Sequence, residues 1–196
     1  MRQYFDAQEQ LRERVLKLSR EIIRASARAI AAMHRGDVGS ANEFLANAHG
    51  LLSQLNEVVK VELTFAESGL VQTARQEYCE AVLVKSLTSE RKIPSPEELG
   101  IPYKPYLAAL ADTTGELRRH ALDSIRANEV ERAERMLKLM EQIFELLMEF
   151  DYPDAILPGM KRRQDMVRRV LERTRGDLTI ALRQQRLERA LERGGK

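Results

Sequence analysis

The 196-residue sequence has no tryptophan, a single cysteine (Cys79) and only 5% aromatic residues. One cysteine excludes an intrachain disulfide and fits a reducing compartment. The scarcity of aromatics leaves no evident platform on which nucleic-acid bases could stack. No apolar run approaches the ~20 residues that a membrane-spanning helix needs. Runs of β-branched residues bounded by turn residues are also missing, so a sheet is hard to place. The formal net charge is only +2, so bulk charge does not by itself draw the chain to a polyanion. No signal peptide is visible after Met1, where a charged amphipathic segment begins. A cytoplasmic, soluble, non-membrane protein is therefore expected.

What is abundant is Ala, Leu, Glu and Arg, all strong helix formers. The sequence is 43% hydrophobic and 32% charged, enough for one domain with a full core. From Phe5 to His34, Leu11, Val15, Leu18, Ile22, Ile23 and Ile30 recur at helical spacing and predict a long first helix. Gly36 can close it in a left-handed turn. Ser40 and Glu43 read as a capping box for a second helix, with Phe44, Leu45, Leu51, Leu52, Leu55, Val58 and Val59 as its apolar stripe. Ser68-Gly69 breaks the pattern, and a third helix runs to about Leu87.

Four of the six prolines (Pro94, Pro96, Pro102 and Pro105) fall within Glu90–Pro105. That segment reads as a loop with room for one short helix capped by Ser95 and Glu98. A fourth long helix is expected from Tyr106 to about Ala127, and a fifth from a cap at Asn128 and Glu131 to Phe150. Asp151–Asp154 and Pro158-Gly159 make the next break. A last helix starts near Met160, with Gly176 as a possible end or kink. The expectation is an all-α, single-domain bundle of six to seven helices over 1–196, without internal repeats.

Two acid pairs stand out. In Gln76-Glu-Tyr-Cys-Glu80, Glu77 and Glu80 are three apart and share a helix face. In Ala111-Asp-Thr-Thr-Gly-Glu-Leu117, Asp112 and Glu116 are four apart and share another. Ala108, Ala109 and Gly115 lie beside that second pair and leave room for a close neighbour or a ligand. If the two helices pack as antiparallel neighbours, the four carboxylates converge. An oxygen-only cluster suits Mg²⁺ or Mn²⁺, which can activate water and stabilise charge on a phosphodiester. Spacing alone favours two solvated faces, with Arg119 and His120 beside Glu116. The Glu-x-x-His motif of di-iron bundles is absent. His34, His49 and His120 form no ligand motif with one another. Cys79 reads as a buried structural thiol.

These motifs resemble those of the translin family, and the Trax type in particular. Leu16-Lys-Leu-Ser-Arg-Glu-Ile22 resembles the first-helix pattern of Trax. Gln76-Glu-Tyr-Cys-Glu-Ala81 and Ala111-Asp-Thr-Thr-Gly-Glu-Leu117 resemble its two acidic motifs. The resemblance covers the chain from about Phe5 to the final helix. It implies a fold of about seven helices and octameric shells enclosing single-stranded RNA or DNA. It also implies a Mg²⁺-dependent endoribonuclease site whose acids match Glu77, Glu80, Asp112 and Glu116, with Glu116 completing the shell or orienting water. The short mid-chain loop and high charge are as in archaeal relatives. A homo-oligomer is the simpler expectation than a complex with a separate translin subunit.

RNA requires cations against its phosphates. Arg75 and Lys85 flank the first acidic motif, and Arg118, Arg119 and Arg126 adjoin the second. Seven Lys or Arg lie between Lys161 and Arg175, with Lys161, Arg162 and Arg163 consecutive. Asp165 and Glu172 are interleaved there, so a salt-bridged helix face is the competing reading. Three functions follow: an endoribonuclease, a non-catalytic single-strand-binding oligomer like translin, and an all-helical nucleotide pyrophosphohydrolase. The last usually carries a Glu-x-x-Asp second motif, which Asp112-x-x-x-Glu116 does not match.

Overall fold

A computed structural model describes residues 1–194, with side chains described through Glu192. It contains α1 (Arg2–His34), α2 (Val38–Val61), a 3₁₀ turn (Leu63–Phe65), α3 (Gly69–Thr88), α4 (Pro96–Leu99), α5 (Tyr103–Arg126), α6 (Val130–Met148) and α7 (Met160–Gly194). Among the described residues there is no strand. The all-α expectation is borne out. The chain divides into two compact units, Met1–Ala109 and Leu110–Lys196, and the boundary falls within α5.

In the first unit, α1 packs on α2 and α3. Its buried positions are Val15, Leu18, Ser19, Ile22, Ala25, Ser26, Ala29 and Ala32. They follow a seven-residue repeat whose later members are small, which lets neighbouring helices come close. Ala29, Leu45 and Ala81 from α1, α2 and α3 form one cluster, with Met33 and Phe44 packed on its edge. Each large side chain fully removed from water there, such as Ile22 or Leu52, contributes about 1.5–3 kcal/mol.

The caps differ in detail from the sequence expectation. Gly36 does adopt the left-handed conformation, with φ +73°. The cap of α2, however, is Asp37, whose carboxylate accepts from the Ser40 amide at 3.0 Å. Ser40 is already helical, so its pairing with Glu43 does not cap. Asp37 competes better because its carboxylate meets the amide at the right position one turn earlier. The box at Ser95 and Glu98 is present, with Ser95 Oγ accepting from Glu98 N and the Glu98 carboxylate accepting from Ser95 N. Helix α5 begins at Tyr103, earlier than expected, because Pro105 is tolerated in a first turn where no amide partner is required.

The second unit shows the same logic. The N-cap position of α6 is held by Glu129, not Asn128, and the Glu129 side chain makes no capping bond. Asn128 instead takes the left-handed turn (φ 60°) that ends the preceding helix. Helices α6 and α7 pack on each other. Val130, Ala133, Met136, Met140, Ile143 and Leu147 form the buried face of α6. Met160, Gln164, Val167, Leu171, Thr174 and Leu178 form that of α7. Gln164 donates to the carbonyls of Leu147 and Phe150, at 2.8 and 3.3 Å. It thereby ties α7 to carbonyls at the end of α6, of which that of Leu147 also accepts from the Phe150 amide at 3.2 Å. Gly176 is exposed and neither ends nor interrupts α7. Packing on one side carries the helix through it, at a cost of about 1 kcal/mol relative to alanine.

Candidate metal and nucleic-acid site

Glu77 and Glu80 sit on α3, within a run of buried neighbours. Tyr78, Cys79 and Ala81 are 5%, 0% and 0% exposed, and Glu80 itself is 8% exposed. Glu77 is half-buried. Burial, reinforced by the charge of Glu80, pushes the Cys79 thiol up to about 12. The single cysteine is thus a protonated structural thiol, as expected. Burial likewise pushes the Tyr78 phenol up to about 12, and its hydroxyl lies 3.0 Å from His49 Nδ1.

Asp112 and Glu116 lie on the part of α5 that belongs to the second unit, and both are half-buried. Ala108 and Ala109 are buried, whereas Gly115 is exposed and a Cβ there would meet nothing within 4 Å. Arg163 Nη1 donates to Asp112 Oδ1 at 2.8 Å. The two side chains are 28% and 26% exposed. Further along, Arg118 pairs with Asp177 at 2.8 Å and donates to Thr174 Oγ1 at 3.0 Å. These contacts advance together along both helices, so α5 and α7 run in the same direction in this unit.

The other cations fall into two groups. Arg75 is only 6% exposed and is held inside the first unit. It donates to the Ala66 carbonyl at 3.3 Å and to Asn56 Oδ1 at 3.1 Å. Its place is that of a tie between α2, α3 and the 3₁₀ turn, not an outward phosphate contact. Lys85 is half-buried. Arg119, Arg126, Lys161 and Arg162 are exposed, and Arg126 has Asp123 at 3.7 Å. The competing salt-bridge reading of the α7 cluster holds in part, since Arg175 pairs with Glu141 at 2.7 Å. Arg168 lies over the Phe144 ring at 5.6 Å.

The donor set is chemically suited to a hard divalent cation, because the two motifs offer carboxylate oxygens only. Among the described residues no group of three or more His, Cys, Asp or Glu is gathered as a ready metal cage. Mg²⁺ needs no such cage. It keeps several waters and is usually held by one or two carboxylates together with substrate phosphates. Each helix supplies one such pair, so the residues present fit the ion.

The Asp112–Arg163 pair was not legible in the sequence. Its members are 51 positions apart, and no local pattern links them. Among the described residues, no helix is long and apolar enough to cross a membrane.

The Translin family model matches residues 10–174. An uncharacterized protein of Methanocaldococcus jannaschii is 34% identical over 192 residues, covering 97% of this chain and 85% of that protein. Among solved structures, the AfC3PO–duplex RNA complex is 34% identical with a TM-score of 0.81, covering 92% of this chain and 93% of that one. The crystal structure of AfC3PO alone has the same identity and TM-score. Apo-NeC3PO, at 22% identity and a TM-score of 0.85, shares the fold over 92% of this chain and 94% of its own. With both acidic motifs set on helices and the match running through both units, this chain belongs to the Translin family.

Proposed function

We propose that this protein is an RNA-binding homo-oligomer that cuts RNA with Mg²⁺ (or Mn²⁺) through Glu77, Glu80, Asp112 and Glu116. One observation carries this reading. Both acidic motifs are complete in a Translin family chain, and each presents its two acids on one face of a regular helix. The AfC3PO structure with duplex RNA supports RNA as the ligand class. Single-stranded RNA or DNA enclosed in an octameric shell is the finer form, and a cytoplasmic setting goes with it.

Glu77, Glu80 and Asp112 would hold one or two Mg²⁺, and Glu116 would complete the set or orient water. Bound there, Mg²⁺ supplies activation of water and stabilisation of charge on the scissile phosphate. The protein's own part is to position those oxygens. The helices fix the spacing of each pair. Exposed Arg119, Arg126, Lys161 and Arg162, with the less exposed Arg118, Arg163 and Lys85, are the cations available to RNA phosphates. Arg75 is excluded from that group by its burial.

The test is cleavage of single-stranded and duplex RNA by purified protein with Mg²⁺ or with EDTA, beside Glu80→Gln. Metal-dependent cutting by the wild type and none by the variant supports the reading. RNA binding without cleavage in any metal would leave the non-catalytic, translin-like alternative. Cleavage by the variant at the wild-type rate would refute the site.

A further inference from the structure

We propose that the cleft between α2, the 3₁₀ turn and the α4–α5 link binds a small organic acid, with Arg75 receiving its carboxylate. None of the four motif acids lines this cleft, and the inference does not depend on how they are read.

The cleft lies wholly within the first unit and holds about 820 Å³. That falls within the range of small-molecule pockets, about 300–1,000 Å³. Much of its wall is apolar: Val59 from α2, Leu63 from the 3₁₀ turn, then Ile101, Pro102 and Tyr103. Leu63 and Tyr103 are 73% and 66% exposed, so the rim offers apolar surface that the chain leaves uncovered.

Arg75 stands in the same wall. It is only 6% exposed, yet its two hydrogen bonds go to neutral acceptors, the Ala66 carbonyl and Asn56 Oδ1. Its Nε is buried and has no hydrogen-bond partner among the described residues. Burial lowers the Arg75 pKa, and the charge of exposed Glu67 does not restore it. The other charges of the cleft are already engaged. Lys60 pairs with Glu57, and Glu97 accepts from the Tyr103 hydroxyl at 2.7 Å. A buried guanidinium is ordinarily matched by an anion. Among the described residues none forms an ion pair with Arg75, so a ligand is left to supply the charge.

The enclosure selects the anion. A phosphodiester is flanked by sugars on both sides and does not reach so covered a group. A phosphate monoester carries about −1.5 to −2, more than one unanswered cation calls for, and it must pass Glu57 and Glu97. A carboxylate at the end of an apolar body brings a single charge and enters end-on. It matches the guanidinium fork, while the body covers Leu63, Ile101 and Tyr103.

The experiment titrates the intact protein with 4-phenylbutyrate, and with its neutral amide as the matched control, by calorimetry and in thermal melts. Wild type should bind the acid and gain Tm from it. The amide should bind about tenfold more weakly, or worse, because it offers no charge to the guanidinium. Arg75→Met removes the charge and keeps much of the bulk, so it should bind acid and amide alike. Arg75→Lys should keep part of the preference. Leu63→Asp is the second variant, since that position is exposed and the fold does not depend on it. The added negative charge at the rim should weaken the acid several-fold and the amide less. Circular dichroism checks the fold of each. Equal affinity of wild type for acid and amide overturns the proposal, leaving an apolar patch only. So does failure of wild type to bind either, the result expected if a second copy of the chain covers the cleft. Undiminished preference for the acid in folded Arg75→Met, or in Leu63→Asp should Arg75→Met not fold, puts the acid elsewhere and overturns it too.

Discussion

The two acid pairs are built into their helices in opposite ways. On α3, Glu80 is nearly as buried as the aromatic and thiol side chains around it. Burial there is so complete that Cys79 and Tyr78 both hold their protons to about 12. On α5, Asp112 and Glu116 are half-buried, Gly115 between them is open to solvent, and Asp112 faces a cation from α7. Glu80 is enclosed by packed side chains, whereas Asp112 has a guanidinium against it. A change of charge without change of shape at Asp112 therefore also removes that 2.8 Å contact.

The sharpest way to break that contrast is Glu80→Gln, which should lower RNA cleavage to the level of a no-enzyme control while oligonucleotide affinity stays near wild type. Gel assays of cleavage and anisotropy on the same preparation check it. Next in size is the core. Leu83 on α3 and Leu147 on α6 are both 0% exposed. Leu83→Ala and Leu147→Ala should each cost about 2–5 kcal/mol in urea unfolding. If only one of them does, the two units are not equally well packed.

Alkali should act on the α3 side. The folded Cys79 and Tyr78 values lie above their ordinary values of 9.0 and 10.0. The unfolded chain therefore releases protons first, and stability must fall as pH rises from about 9 towards 12. Cys79→Ala should flatten the start of that decline in thermal melts, and the wild-type thiol should resist iodoacetamide while folded. The smallest effect is on the surface of α7. Removing Lys161 and Arg162 together should lower the salt dependence of single-strand binding by about 1.4 in log–log slope, if both touch phosphate. A slope equal to that of wild type would leave Lys161 and Arg162 outside the RNA path.

Much of this was legible in the sequence. Apolar residues at helical spacing announced α1, because helix burial imposes a period that residues such as Val15, Leu18 and Ile22 cannot hide. The motif acids were found by spacing, and the family resemblance joined them into one candidate site. What spacing could not show were contacts made across the fold. Arg75 looked like a phosphate contact because it precedes an acidic motif, yet Asn56 and Ala66 claim it. Arg163 looked like one more member of a basic run, yet its partner lies on another helix. Caps were missed by a residue or more at Ser40 and Asn128, where neighbouring Asp37 and Glu129 take the position. Such choices turn on a few tenths of a kcal/mol among similar side chains.

Between Asp112 and Glu116 the chain reads Thr-Thr-Gly. All three are poorer helix formers than the alanines and leucines that precede them, and the glycine alone gives up about 1 kcal/mol against alanine. Among the described residues nothing occupies the space a methyl group would fill at Gly115, so sterics do not demand the glycine. Its consequence is access. The residue between these two carboxylates that carries no side chain is exposed, so a ligand closing on both of them meets bare backbone there.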